Sequence, residues 1–65
     1  MKISLRAARV NAGLRQSDVA VELGVGKRTV VSWEQGKHKP RGDAVLALCQ
    51  LYGRKFEEIE WEVKS

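Results

Sequence analysis

Apolar residues recur along the chain at the spacing of short amphipathic helices, and a glycine follows each of the first four stretches. One face of an α-helix repeats every 3.6 residues, so apolar side chains three and four positions apart indicate a face turned toward a core. Glycine commonly ends a helix because it adopts the left-handed conformation without steric cost. These signals predict helices at roughly 4–12, 17–23, 27–35 and 43–52, and a short fifth helix around 55–60.

The predicted helix ends carry suitable polar residues, and strand signals are nearly absent. Ser17 is a candidate N-cap, and Asp18 in the first turn interacts favourably with the helix dipole. The fifth helix is expected to bury Phe56 and Ile59. The alternation of apolar and acidic residues over 59–63 is the one stretch typical of a strand. The sequence therefore predicts an all-α fold.

The second and third predicted helices are joined by the three residues Gly24-Val25-Gly26. Two helices of about two turns each, joined by a glycine-containing turn of about three or four residues, form a helix-turn-helix. Helices this short are not stable alone, so we expect them to pack on each other and on the first and fourth helices. Val25 is the apolar residue expected to fix their crossing. The pattern by itself also occurs in other small helical bundles.

The third predicted helix has an apolar face and a polar face. At about 100° per residue, Val30 and Trp33 point to the core. The opposite side carries Arg28, Val31, Ser32 and Gln35, with Lys27 at its edge. A guanidinium, an aliphatic group, a hydroxyl and an amide are groups that contact base edges in the major groove of DNA. Val31 has two interpretations, because an isolated valine is also ordinary on a protein surface.

Glu34 lies at the margin of the core-facing side of this helix, where a carboxylate needs a partner. Arg9, in the first predicted helix, can form a two-pronged ion pair with it that joins the two helices. The alternative is a pair of separate surface charges, which would contribute little to stability.

Charge is distributed unevenly along the 65 residues, which are too few for more than one domain. Twelve Lys and Arg residues against eight Asp and Glu residues give a formal charge of +4. Residues 1–56 carry a net +7, whereas residues 57–65 carry a net −3. A basic body favours nucleic acid or an anionic membrane surface as partner, although solubility alone is the simpler interpretation. The loop 36–42 follows the third helix and holds three of the cations, which suits contacts with phosphate.

Several classes of protein are disfavoured by what the sequence lacks. Cys49 is the single cysteine, so an intrachain disulfide is impossible, and we expect it to be a small buried apolar residue. His38, the lone histidine, lies in the cationic loop without a paired nucleophile, and is either a phosphate donor or a spectator. No apolar run approaches the ~18 residues of a membrane span, and no signal peptide is recognised. We therefore expect a cytoplasmic protein that is not an enzyme and uses no metal, cofactor or small-molecule ligand.

These motifs together resemble the Cro/CI-type, or XRE-like, helix-turn-helix family of phage repressors and Cro-like regulators. The resemblance covers residues 4–60 and lies in Arg9, 12–20, 23–25, 28–36, Lys39-Pro40 and 46–52. It implies a compact five-helix bundle of the lambda-repressor-like DNA-binding type, with the helix-turn-helix formed by the second and third helices. The expected organisation is a DNA-binding domain over 1–60 and a C-terminal tail over 61–65.

The family resemblance also implies roles for individual residues. Those implied to read bases are Lys27, Arg28 and Ser32, with less regular contacts from Thr29 and Val31. Those implied to bind phosphate are Gln16, Gln35, Lys37 and Lys39, and Ser17 and the loop cation Arg41 are expected to join them. Arg9 and Glu34 resemble the family's internal ion pair. Lys27 departs from several phage repressors, which have an amide there, and its flexible ammonium suits either a guanine or a phosphate.

The C-terminal end mixes acidic and large apolar side chains, and repulsion from phosphate should turn it away from DNA. Trp61 and Val63 are difficult to bury in so small a monomer, so we expect them to form a dimer contact together with Tyr52 and Phe56. A frayed tail, or an edge strand that pairs with a second copy, is the alternative.

The combined expectation is a sequence-specific regulator that binds double-stranded DNA as a homodimer on a palindromic operator, with a repressor favoured over an activator. Its expected location is the nucleoid of a prokaryotic cell or of a phage-infected host, without membrane contact. A protein-interaction module, such as an antitoxin or a regulator-binding helix-turn-helix protein, is the alternative. The sequence does not choose between a phage regulator, a restriction-modification controller and an antitoxin.

Overall fold

Four α-helices close to the predicted positions make up most of residues 1–63, which the computed structural model describes. They are α1 Leu5–Asn11, α2 Gln16–Leu23, α3 Lys27–Glu34 and α4 Gly42–Tyr52. The all-α prediction is confirmed, and within these residues no helix is long and apolar enough to cross a membrane. The predicted count of five helices is wrong, because the last element is a single 3₁₀ turn, Phe56–Glu58.

Pairing between the two ends of the chain takes the place of a fifth helix. Ile59 is extended and forms an isolated parallel bridge with Ile3. The Ile3 N–H donates to the Glu58 carbonyl at 2.9 Å, and the Glu60 N–H donates to the Ile3 carbonyl at 2.8 Å. Because these backbone groups are bonded across the molecule, they do not continue a helix and the turn ends after three residues. Within residues 1–63 the alternation at 59–63 produces no strand beyond this bridge.

Local hydrogen bonds determine where α2 begins and ends. The helix begins earlier than predicted, with Arg15 rather than Ser17 at the N-cap. The Asp18 carboxylate accepts the Arg15 N–H at 2.8 Å, so the acidic residue of the first turn caps the helix. Gly24 ends it in the left-handed conformation, with a φ of 67°. The Val25 N–H then donates back to a carbonyl of α2 at 3.0 Å, which closes the turn toward α3.

The core is a set of apolar side chains to which every helix contributes. Its buried residues are Leu5, Ala8, Val19, Ala20, Val30, Leu48, Tyr52, Ile59 and Trp61. Val25 and Trp33 are partly buried against it, as predicted for the turn and for the inner face of α3. Cys49 is also partly rather than fully buried, and its burial raises the pKa of the thiol. Because α2 and α3 pack directly on each other, the predicted helix-turn-helix is confirmed.

Trp61 closes this core from the C-terminal side, so the expectation that a small monomer could not bury it is wrong. Trp61 is 7% exposed, and its indole Nε1–H donates to the Phe56 carbonyl at 2.8 Å. The Phe56 ring stacks on it with ring centroids 5.5 Å apart. Phe56 itself is 54% exposed and is not the buried residue of a fifth helix, whereas Ile59 is fully buried as predicted. Tyr52 is buried as well, which leaves Phe56 and Val63 as the exposed members of the predicted dimer contact.

A partly buried ion pair joins α1 to α3, as predicted. Arg9 Nε lies 2.6 Å from Glu34 Oε2, and Arg9 Nη2 lies 3.3 Å from Glu34 Oε1. The two side chains are only 11% and 5% exposed. Arg9 Nη1 also donates to the Leu14 carbonyl at 2.9 Å, and the Gln16 side-chain amide donates to Glu34 Oε1 at 3.0 Å. The pair therefore connects α1, the α1–α2 loop, the start of α2 and the end of α3.

Hydrogen bonding compensates for the burial of these charges. The hydrogen bond to Glu34 raises the pKa of Arg9, against the lowering effect of burial. Burial also raises the pKa of the neighbouring Tyr52 phenol to about 12, and the Glu34 carboxylate adds to this effect. Among residues 1–63, no buried side-chain nitrogen or oxygen atom lacks a hydrogen-bond partner. The end of α3 is thus fixed to the rest of the molecule by a fully satisfied polar network.

Trp61→Ala should lower the free energy of unfolding by about 3–5 kcal/mol, the usual cost of removing a large buried aromatic side chain. Val63→Ala is the control, because Val63 is 51% exposed, and it should change the free energy by less than about 0.5 kcal/mol. Urea unfolding followed by circular dichroism measures both values. Equal stability of the two variants would show that Trp61 is not part of the core.

Removing one member of the buried pair, by Arg9→Ala or Glu34→Ala, should cost about 3–5 kcal/mol because an uncompensated buried charge remains. The double variant should cost less than the sum of the two single losses. The exposed pair Arg15–Asp18, whose Nε and Oδ2 atoms are 3.6 Å apart, supplies the control. Arg15→Ala should cost under about 1 kcal/mol. Strictly additive losses for Arg9 and Glu34 would contradict the coupling.

Candidate nucleic-acid interface

α3 turns one side to the core and leaves its first turn in solvent. Lys27, Arg28 and Thr29 are exposed, whereas Val30 is fully buried. Val31, predicted to point outward, is half-buried. The helix therefore presents its predicted base-reading residues mainly through its N-terminal half.

The loop between α3 and α4 is held by its backbone while its cations stay exposed. The N–H groups of Gly36 and Lys37 donate to carbonyls of α3 at 3.2 and 3.0 Å. Gly36 has a φ of 73°, a left-handed conformation that strains other residues, and both Gly36 and Pro40 are buried. The side chains of Lys37, Lys39 and Arg41 are exposed. The loop thus places Lys37 and Lys39 shortly after the C-terminal end of α3, and Arg41 at the start of α4.

The positive charge of this region is not neutralised by ion pairs within the part of the chain that the structure describes. Salt bridges among residues 1–63 involve Arg9 and Arg15, and no other cation. Glu34 is the one acidic residue of the segment 27–42, and it is paired internally with Arg9. We call the exposed cations of this segment the basic face, and they are Lys27, Arg28, Lys37, Lys39 and Arg41. Such a surface attracts a polyanion over a distance of several ångströms.

The residues expected to bind phosphate at the helix ends differ in their exposure to solvent. Ser17 is exposed near the start of α2, and Gln35 is exposed just after α3. Gln16 is half-buried, and its amide donates to Glu34 at 3.0 Å. The structure therefore brings Gln16 into the internal network, and its contact with phosphate stays a prediction.

The acidic C-terminal end lies closer to α3 than the sequence suggests. Glu60 and Glu62 are exposed and line a small hollow together with Trp33, Glu34 and Gly36. These residues border the C-terminal end of α3, about 12 Å along the helix axis from its first turn. Repulsion from these carboxylates would direct a polyanion toward the first turn of α3, where Lys27 and Arg28 are exposed.

His38 forms a contact with α3 that the sequence analysis did not predict. Its Nδ1 atom lies 3.2 Å from Ser32 Oγ. The two residues line a hollow of about 310 Å³ together with Arg28, Thr29 and Trp33. No sequence pattern signals this contact between a helix residue and a loop residue six positions later, because it depends on how the loop turns.

A larger groove of about 440 Å³ lies between α2, α3 and α4 and is mainly apolar. Its lining includes Leu23, Val25, Trp33, Ala44 and Ala47. Within residues 1–63, no three His, Cys, Asp or Glu side chains are arranged to hold a metal ion. Of the residues singled out by the sequence for DNA contacts, Thr29 and Arg41 also line this groove.

Comparisons with known proteins agree with this architecture. Residues 3–61 match the family described as helix-turn-helix domain. Over 59 residues the chain is 34% identical to an uncharacterized HTH-type transcriptional regulator of Methanocaldococcus jannaschii, across 91% of this chain and 89% of that protein. Over 55 residues it is 36% identical to the cryptic phage CTXphi transcriptional repressor RstR of Vibrio cholerae, across 85% of this chain and 50% of that protein. No solved structure matches the chain significantly. The chain belongs to the XRE-like helix-turn-helix family of transcriptional regulators.

Proposed function

We propose that this protein is a repressor that binds double-stranded DNA sequence-specifically through the basic face and acts at the nucleoid. The observation that carries the proposal is the exposure of five cations on and beside α3 that form no salt bridge within residues 1–63; a partly buried ion pair anchors this helix. An α-helix fits the major groove, and flanking cations neutralise phosphates. The Vibrio cholerae relative is named a repressor and the Methanocaldococcus jannaschii relative a regulator, which supports the proposal.

The residues of the site divide into two groups according to the part of DNA that suits them. The proposed base readers are Lys27, Arg28, Thr29, Val31 and Ser32. The proposed phosphate ligands are Gln16, Ser17, Gln35, Lys37, Lys39 and Arg41. The guanidinium of Arg28 can donate two hydrogen bonds to guanine O6 and N7, whereas an ammonium such as that of Lys39 contacts any phosphate. The first group would therefore supply specificity, and the second would supply affinity and orientation.

A dimer would present two such surfaces to successive major grooves. The half-sites of a palindromic operator lie about 34 Å apart. The Cα trace measures 28 × 26 × 20 Å, so two copies in contact can place equivalent points at a comparable distance. Phe56 and Val63 are the exposed apolar residues proposed for the contact, and the buried Trp61 supports the Phe56 ring by stacking on it. Binding of the dimer would repress by occupying the operator.

A protein-interaction module is the second candidate function, and the surroundings of Phe56 favour it. The exposed ring is followed in the chain by the exposed carboxylates Glu57, Glu60 and Glu62. An aromatic group among acids suits a basic protein partner, as an antitoxin would require. Salt dependence distinguishes the two functions. For DNA binding, each neutralised phosphate lowers the affinity by about 0.9 log units per log unit of added salt.

Selection of bound DNA from a randomised duplex library at physiological salt should enrich a palindrome with half-sites about one helical turn apart. Sequencing of the bound pool gives this result directly. Enrichment of a single unpaired half-site would keep base reading but contradict the dimer. No enrichment at all would contradict the proposed function and favour the protein partner.

Arg28→Ala should weaken binding to the selected operator by about 1–3 kcal/mol and relax the preference at one base pair. Lys39→Ala should instead weaken binding to all sequences alike and reduce the salt slope by about one unit. Fluorescence anisotropy with operator and random duplexes over a salt series measures both effects. Lys55→Ala, which removes an exposed cation outside the basic face, is the control. Equal losses on operator and random DNA for Arg28→Ala would exclude a base-reading role.

A further inference from the structure

A side-chain hydrogen bond between Ser32 and His38 connects the cationic loop to α3. Ser32 Oγ and His38 Nδ1 are 3.2 Å apart, and His38 is exposed while Ser32 is half-buried. The loop has other anchors, because the N–H groups of Gly36 and Lys37 donate to carbonyls of α3 and Pro40 is buried. The bond therefore fixes the orientation of the two side chains, and the path of the loop does not depend on it.

The bond restricts what the Ser32 hydroxyl can offer to another molecule. A hydroxyl has one hydrogen to donate and two lone pairs that accept. When His38 Nδ1 accepts the hydrogen bond, the Ser32 hydrogen is occupied, and lone pairs remain for a ligand. When Nδ1 carries the proton, Ser32 accepts from the ring and keeps its own hydrogen for a ligand.

These two states suit different base edges in the major groove. The lone pairs of a hydroxyl accept hydrogen bonds from the amino groups of adenine and cytosine, whereas its hydrogen donates to guanine O6, to thymine O4 or to N7 of either purine. We propose that His38 is a positioning residue for base recognition, which sets whether the Ser32 hydroxyl donates or accepts at the base pair that it contacts. This inference rests on the proposed function, in which α3 enters the major groove.

The surroundings of the bond place it among the proposed base-reading residues. Ser32, His38, Arg28 and Thr29 line one hollow of about 310 Å³. Arg28 and Ser32 are four residues apart on α3, so they are neighbours on the same face of the helix. A base pair contacted by Ser32 would therefore lie close to the one contacted by Arg28. His38 would orient the Ser32 hydroxyl next to these proposed base-reading residues.

The test measures base preference and not affinity alone. The wild-type chain, His38→Ala, His38→Asn, Ser32→Ala and the double variant are each selected against the same randomised duplex library, after circular dichroism confirms their folding. His38→Ala should change the preference at one base pair by about threefold to tenfold, the size of one hydrogen bond, and leave other positions unchanged. His38→Asn should restore the wild-type preference, because an amide side chain can also donate a hydrogen bond to the Ser32 hydroxyl or accept one from it.

The remaining variants separate this role from a general contribution to binding. The double variant should have the same preferences as Ser32→Ala, since His38 acts through the hydroxyl. Lys37→Ala removes the exposed cation next to His38, and it should weaken all sequences alike. An unchanged base preference in His38→Ala, or an even loss over all sequences, would overturn the inference and leave the proposed function intact. Failure of the wild-type chain to select any sequence would overturn both.

Discussion

The pair between Arg9 and Glu34 is the interaction on which the geometry of the basic face depends. α3 has eight residues, and a helix of that length does not keep its shape in water without tertiary contacts. Its own contribution to the core is small, because Val30 is fully buried and Trp33 only partly. The ion pair supplies a second attachment at the C-terminal end of the helix, where Gln16 adds a hydrogen bond. It also neutralises the one carboxylate of the segment 27–42, which would otherwise weaken the attraction for phosphate.

Much of the fold could be predicted because its signals are local. Gly24 and Gly53 adopt the left-handed conformation where the apolar periodicity stops, so the ends of α2 and α4 are encoded by single residues. The spacing of Val30 and Trp33 was sufficient to identify the inner face of α3. The pairing of Glu34 with Arg9 could also be predicted, since a carboxylate at the margin of a core requires a cation and the resemblance to a known family indicated the partner.

The features that could not be predicted depend on contacts between distant segments or on competition between neighbours. Trp61 is buried because the two ends of the chain are bonded to each other, which brings its ring against the core. Ser17 is a suitable cap by residue type, but the Asp18 carboxylate accepts the Arg15 N–H, so the N-cap lies two positions earlier in the chain. The contact of His38 with Ser32 follows from the path of a seven-residue loop, for which no periodic signal exists.

Residues that hold the helix and residues that would read DNA alternate along α3 with little overlap. Lys27, Arg28 and Thr29 are exposed, so their replacement removes few internal contacts and should leave the fold intact. Val30 and Glu34 are fixed by the core and by the ion pair. In a protein of this size, with one thin core, the proposed base preference could therefore change at exposed positions with little loss of stability. Ser32 differs from the others because its hydroxyl is bonded to the loop, so a change there would alter the proposed recognition and the loop contact together.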